Sequence, residues 1–185
     1  MGRVFVITGP SGVGKGTLIR GLRSAVPELE LSVSATTRAP RPGEKDAVHY
    51  HFLSDDQFAA RVAAGDFVEH ATYSGRRYGT LASELERRTR AGAPVVLEIE
   101  LQGARQVRQA LPGAVQVFIA PPSLDALRTR LVGRGTDDPR QVEERMATAR
   151  EELSAQGEFG HVVVNDRLED ATEQLAAIIR NTLRS

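Results

Sequence analysis

A chain of 185 residues is long enough for one domain with a substantial core and too short for two full domains. Its 24 Lys and Arg balance 24 Asp and Glu, so no surplus positive charge is left to coat nucleic acid or an anionic membrane, and neither is expected as a partner. The absence of cysteine excludes a disulfide scaffold and a thiolate metal site, and 41% hydrophobic with 26% charged residues fits an ordered globular protein.

The run Arg3-Val4-Phe5-Val6-Ile7-Thr8, closed by Gly9, has the pattern of a strand buried on both faces. That opening is not the layout of a signal peptide, and no apolar run approaches the ~20 residues of a membrane span. A cytoplasmic address is expected. Leu18, Ile19 and Leu22 recur at helical spacing before Pro27, whereas Ser32 to His49 is broken by threonine, proline and glycine and reads as loop or edge structure. Ser54-Asp55-Asp56-Gln57 is a capping box that predicts a helix ending near Gly65, followed by a strand from Asp66 to Tyr73. A helix rich in Arg and Glu is predicted from about Leu81 to Arg90, halted by Gly92 and Pro94. Buried-type strands are predicted at Val95 to Glu100 and Val115 to Ala120, each with a helix after it, the second capped by Ser123. Arg128 to Arg150 reads as two helices with a polar hinge at Gly133, Gly135 and Pro139. The strand His161 to Val164 and a helix carrying Leu175, Ala176, Ile178, Ile179 and Leu183 close the chain. Strands alternating with helices predict a parallel, three-layer α/β core.

Between the first strand and the first helix lies Gly9-Pro10-Ser11-Gly12-Val13-Gly14-Lys15-Gly16-Thr17. This is where a phosphate-binding loop belongs: glycines let backbone N–H groups turn inward, the helix N-terminus adds positive potential, and Lys15 can reach the β and γ phosphates. A nucleoside triphosphate is the expected ligand. The position after the lysine, where a Ser or Thr ligates Mg2+ in the usual pattern, is Gly16, and Thr17 would contact the α phosphate. Mg2+ is therefore expected to arrive with ATP and to be held through the nucleotide and water. Glu98 and Glu100 would share one face of their strand at its carboxyl end, where parallel sheets bind ligands, and Glu98 is assigned to the neighbourhood of the metal and Lys15. The basic residues sharpen the interest in that lysine, since apart from Lys15 and Lys45 all of them are arginine.

Further blocks accompany this loop in a fixed order: Ser32-Val33-Ser34-Ala35-Thr36-Thr37-Arg38-Ala39-Pro40-Arg41-Pro42-Gly43-Glu44, Tyr50-His51-Phe52, Glu69, Tyr78-Gly79-Thr80, Leu97-Glu98-Ile99-Glu100-Leu101-Gln102-Gly103-Ala104, Gly133-Arg134-Gly135-Thr136 and Val164-Asn165-Asp166. On these blocks the sequence resembles the guanylate kinases over essentially its whole length. The resemblance implies a P-loop kinase core of residues 1–33, 94–125 and 159–185, a small GMP-binding insertion at 34–93 and a helical lid at 126–158. It also implies transfer of the γ-phosphoryl group of ATP to GMP, with dGMP as a further acceptor. Arg38, Arg41, Tyr50 and Tyr78 would hold the GMP phosphate, and their guanidinium forks and phenol hydroxyls suit it. Glu69 suits the N1–H and 2-amino donors of guanine, with Ser34 and Thr80 for O6. Glu98 is also counted with the GMP-binding residues, and Glu100 stands where the family usually has Asp, near the guanine amino group. Arg134 and Arg145, with Arg130, would close onto the ATP phosphates, and Asn165 would lie near adenine. Arg128, Arg140 and Arg150 are expected on a solvated face.

Two rival readings are weaker on the residues. Ribose bisphosphate kinases share the phosphate loop but have no guanine to read, which leaves Ser34, Glu69 and Thr80 without a purpose. Guanylate-kinase-like modules that only bind proteins have no need of an intact Lys15 loop. The sequence assigns no oligomeric state.

Overall fold

The computed structural model describes residues 2–133 and 138–184. In chain order its elements are β1 (Val4–Thr8), α1 (Lys15–Ala25), β2 (Glu30–Leu31), β3 (Ala35–Thr36), β4 (His51–Phe52), α2 (Asp55–Ala63), β5 (Phe67–Tyr73), β6 (Arg76–Leu81), α3 (Ala82–Arg90), β7 (Val95–Glu98), α4 (Leu101–Ala110), β8 (Val115–Ala120), α5 (Leu124–Val132), α6 (Pro139–Ser154), β9 (His161–Val164) and α7 (Leu168–Arg184). They fall into two compact units, one of Met1–Val4 and Leu29–Ala114, the other of Phe5–Glu28 and Val115–Ser185. Among the described residues no helix is long and apolar enough to cross a membrane.

The second unit is a parallel α/β arrangement. β8 runs parallel to β1, with Ile7 opposite Val117, and β9 runs parallel to β8, with Phe118 opposite Val162. The apolar runs that predicted these strands supply Phe5, Ile7, Phe118 and Ile119 to a core shared with Leu18, Leu22, Leu127, Leu131, Met146 and Leu175, all fully buried. Helices α1 and α7 lie against each other, and Arg180 donates to the Ala25 carbonyl at 2.6 Å. Ser123 caps α5 by accepting from the Ala126 N–H, as its position predicts, and Asp138 forms a reciprocal capping box with Gln141 at the start of α6.

The first unit holds β2 parallel to β7 and a four-stranded sheet in the order β4-β3-β6-β5. β5 and β6 form an antiparallel hairpin whose two-residue turn, Ser74-Gly75, has positive φ at both positions (49° and 72°), the twist that hairpins favour. A bulge falls between Phe67 and Glu69, so that Glu69 stands opposite Thr80. Phe58 of α2 is fully buried under this sheet with Ala35 and Leu81, its ring 4.5 Å from that of Phe67. The capping box at Ser54 and Gln57 is formed as predicted.

One expectation is corrected. The strand predicted to reach Glu100 stops at Glu98, because the chain turns there into α4, and Glu100 is the N-cap of that helix rather than a strand neighbour of Glu98. The residues before the helix predicted from about Leu81, left without an element by the sequence, form β6, and α3 follows at Ala82–Arg90 as predicted.

Candidate active site

The phosphate loop belongs to the second unit. Gly14 is the N-cap of α1 at φ 99°, a left-handed conformation that glycine tolerates, and no side chain caps the helix, so the first-turn N–H groups stay available to an anion. Lys15 is 9% exposed; its ammonium donates to the carbonyls of Gly9 and, at 3.3 Å, Pro10, holding positive charge inside the loop. Arg145 of α6 donates to Ser11 Oγ at 2.5 Å. Beneath the loop, the Val13 carbonyl accepts from Asn165 Nδ2 at 2.8 Å and from Arg130 at 3.3 Å, and Arg130 also donates to the Asn165 carbonyl at 2.8 Å. The buried Asn165 amide thus braces the loop backbone. Thr17 Oγ1 accepts from Arg20 at 3.0 Å, and Gly16 offers no side-chain oxygen. Arg134 lies outside the described residues, as do Gly135 and Thr136. Arg128 and Arg140 form exposed ion pairs with Glu143 and Glu144.

A cavity of about 260 Å³ opens in the first unit, lined by Ser34, Tyr50, Glu69, Tyr78, Glu98 and Glu100 among others. Its deepest polar group is Glu69, 4% exposed, whose Oε1 accepts from Thr80 Oγ1 at 2.8 Å across the hairpin. Burial pushes the Glu69 carboxyl up to about 7; the Thr80 hydroxyl and N–H oppose the rise, and the neighbouring Glu100 adds to it. Thr80 is itself fully buried behind Glu69, so its hydroxyl serves the carboxylate instead of facing the cavity as predicted for O6. Glu100 Oε2 is buried. Glu98 is exposed at the rim.

The cavity's other end is built of phenols and arginine. Tyr50 and Tyr78 meet edge to face, ring centroids 6.2 Å apart, and burial raises the Tyr50 hydroxyl above its ordinary range, with Tyr78 and Glu98 adding to the rise. The Arg38 guanidinium lies 5.2 Å from the Tyr50 ring centroid and donates to Glu44 Oε1 at 2.8 Å, while Glu44 Oε2 accepts the Arg41 N–H at 2.7 Å. Bonded first to Arg38 and then to that backbone group, the Glu44 carboxyl drops to about 2. The Arg41 side chain is exposed. Of the predicted acceptor residues, the structure brings Ser34, Tyr50, Glu69, Tyr78, Glu98 and Glu100 to one cavity, with Arg38 stacked on Tyr50. Glu44 had no role assigned from sequence, although its place three residues after Arg41 in a turn is a signal that could have found it.

The guanylate kinase family profile matches residues 1–182. The chain belongs to the guanylate kinase family. Among curated relatives it is 55% identical to a guanylate kinase of Synechococcus sp. (strain CC9902), covering 94% of this chain and 93% of that one. It is 52% identical to one from Frankia casuarinae, over 94% and 95%. A crystal structure of guanylate kinase from Anaplasma phagocytophilum superposes with a TM-score of 0.78 at 28% identity, covering 98% of this chain and 86% of that one. Guanylate kinases are ATP:GMP phosphotransferases of nucleotide metabolism, and the α/β fold with its parallel strands is the one that this structural relative shares.

Proposed function

We propose that the first unit's cavity seats GMP, that the phosphate loop of the second seats MgATP, and that the chain transfers the γ-phosphoryl group of ATP to GMP, giving ADP and GDP, at a cytoplasmic address. The observation that carries the choice of acceptor is the Glu69 carboxylate, almost wholly withdrawn from solvent on a cavity wall. An ionised carboxylate there can accept both the N1–H and the 2-amino group of guanine, whereas adenine brings an acceptor at N1 and no 2-amino group. A buried carboxylate left unpaired by the wrong base supports discrimination of up to about 10⁴ to 10⁵. Ser34 is the hydroxyl in reach of O6, and Glu100 shares the wall for the 2-amino group.

In this reading Arg38, Arg41, Tyr50 and Tyr78 receive the GMP phosphate, and Glu44 holds Arg38 and the Arg41 backbone ready for it. Lys15 exchanges its loop carbonyls for the β and γ phosphate oxygens, backbone N–H groups within the Gly9–Thr17 loop, chiefly those at the start of α1, donate to them, and Arg145 and Arg134 add charge. Magnesium enters as part of the substrate MgATP. The attacking group is a phosphate oxygen with a second pKa near 6, largely ionised at pH 7, so no general base is needed and catalysis reduces to positioning and charge stabilisation.

A coupled ADP-release assay with ATP and GMP, dGMP, AMP, CMP, UMP or ribose 1,5-bisphosphate tests the proposal. GMP should exceed AMP in kcat/KM by at least ~10³-fold. Turnover of AMP or ribose 1,5-bisphosphate equal to that of GMP would overturn it.

A further inference from the structure

The strand that carries Glu69 is anchored on one side only. β5 is an edge of its sheet, paired with β6, and the bulge at Val68 interrupts the ladder immediately before Glu69. Besides Thr80 across the hairpin, support comes from α4. Gln106 Nε2 donates to the His70 carbonyl at 2.8 Å and its Oε1 accepts the His70 N–H at 3.0 Å. One side-chain amide thereby satisfies both backbone groups of the residue after Glu69, as a neighbouring strand would.

One turn earlier on the same helical face is Gly103. A Cβ placed there would collide with Glu69 Oε2 and lie 3.1 Å from its carboxyl carbon; the three nearest atoms to that position all belong to Glu69. Gly103 is helical and buried, with no positive φ that would call for glycine. A helix interior disfavours glycine relative to alanine, so local structure argues against the residue and the seat of Glu69 argues for it.

We propose that Gly103 and Gln106 are positioning residues for Glu69, Gly103 by leaving room for the carboxylate against the first turn of α4 and Gln106 by clamping the β5 backbone beside it. The face of α4 that bears them then sets purine choice at the acceptor site through Glu69, an inference that rests on the reading of Glu69 as the partner of guanine.

The test compares Gly103→Ala, Gln106→Leu, Gln106→Glu, Glu69→Gln and the Gly103→Ala/Glu69→Gln double variant. It reads KM for GMP and for ATP, the preference for GMP over inosine monophosphate, which lacks the 2-amino group, and Tm. Gly103→Ala should raise KM for GMP by about 10-fold or more and narrow the preference, the loss expected when a built hydrogen-bond site is displaced. KM for ATP should hold within about 2-fold, and Tm should hold or rise because alanine favours the helix. In the Glu69→Gln background Gly103→Ala should add less than about 2-fold, the non-additivity of coupled neighbours. Gln106→Leu should shift KM for GMP in the same direction, and Gln106→Glu, which keeps an acceptor for the His70 N–H, should recover part of it. Fully additive losses, or a fall in Tm with no change specific to GMP, would overturn the inference. If Glu69→Gln itself leaves KM for GMP unchanged, the reading of Glu69 falls and takes this inference with it. If Glu69→Gln is selective and Gly103→Ala is not, only the inference falls.

Discussion

Glu69 is a carboxyl with a value near neutrality in the free protein, and guanine must draw it into its ionised form. GMP should therefore bind more tightly as pH rises from about 6 to 8, releasing about half a proton from Glu69 at pH 7 and close to one near pH 6. Calorimetry in two buffers of different ionisation enthalpy reads that proton directly, and Glu69→Gln should abolish the difference. The same group tilts stability. Its folded value lies above the ordinary 4.5, so its contribution is fully present below about 4.5 and is lost as pH rises through about 7. The Tm of the parent, relative to Glu69→Gln, should fall across that window. Lys15→Ala should lower kcat by at least ~10²-fold in a folded protein, as expected for loss of an electrostatic contact to the reacting phosphates. Circular dichroism checks the fold, and near-normal turnover would remove the loop from the mechanism. Glu44→Gln should raise KM for GMP and leave KM for ATP alone, because among the described residues its carboxylate is bonded to Arg38 and the backbone of Arg41. At this scale the sequence reading singled out residues that line one cavity, Ser34, Tyr50, Glu69, Tyr78, Glu98 and Glu100, but did not foresee that Thr80 bonds Glu69. A hydroxyl across a hairpin from a carboxylate is drawn to it, and that pairing depends on a register no residue type announces.

Apolar elements were legible: β1 and β8 follow from buried runs, the short β9 from its valines although three of its four residues are exposed, and the helices between them from apolar spacing and caps. Two-residue strands such as β2, β3 and β4 are shorter than any periodicity can register. β6 reads Arg-Arg-Tyr-Gly-Thr-Leu, too polar to be marked as a strand, though the Ser74-Gly75 turn before it is a hairpin signal. The bulge at Val68 has no glycine to flag it, and it decides which way Glu69 faces. At the other nucleotide, the start of α1 depends on Gly14. Its φ of 99° strains any other residue, and a Cβ would sit 2.7 Å from Asn165 Nδ2. Gly14→Ala should cost about 1 kcal/mol or more of stability and weaken ATP binding measured by calorimetry, while leaving GMP binding near its parent value.

The two units each draw on separate stretches of chain, which cross between them after Val4, after Glu28 and after Ala114. Composition and strand order reveal the α/β class; they contain no signal for where such crossings fall, because one lies within β1 and the others in the ordinary segments before β2 and β8. A proposed division of labour between the units can be observed in the whole protein by hydrogen exchange. GMP should slow exchange chiefly in β5, β6 and the start of α4, and a non-hydrolysable ATP analogue chiefly in the loop and α1. Each ligand at 100 times its dissociation constant should add about 2.7 kcal/mol, raising Tm by about 5–10 °C. Equal protection of both units by GMP alone would contradict the assignment.

The scarcity of lysine has a practical outcome. Lys15 is tucked into its loop with its ammonium held by carbonyls, whereas Lys45 is exposed one residue beyond the carboxylate that grips Arg38. An acylating dye should consequently favour Lys45 over Lys15, planting a fluorophore beside the Arg38–Glu44 pair with no engineered attachment point, where its emission would report the arrival of GMP in real time if that pair receives it.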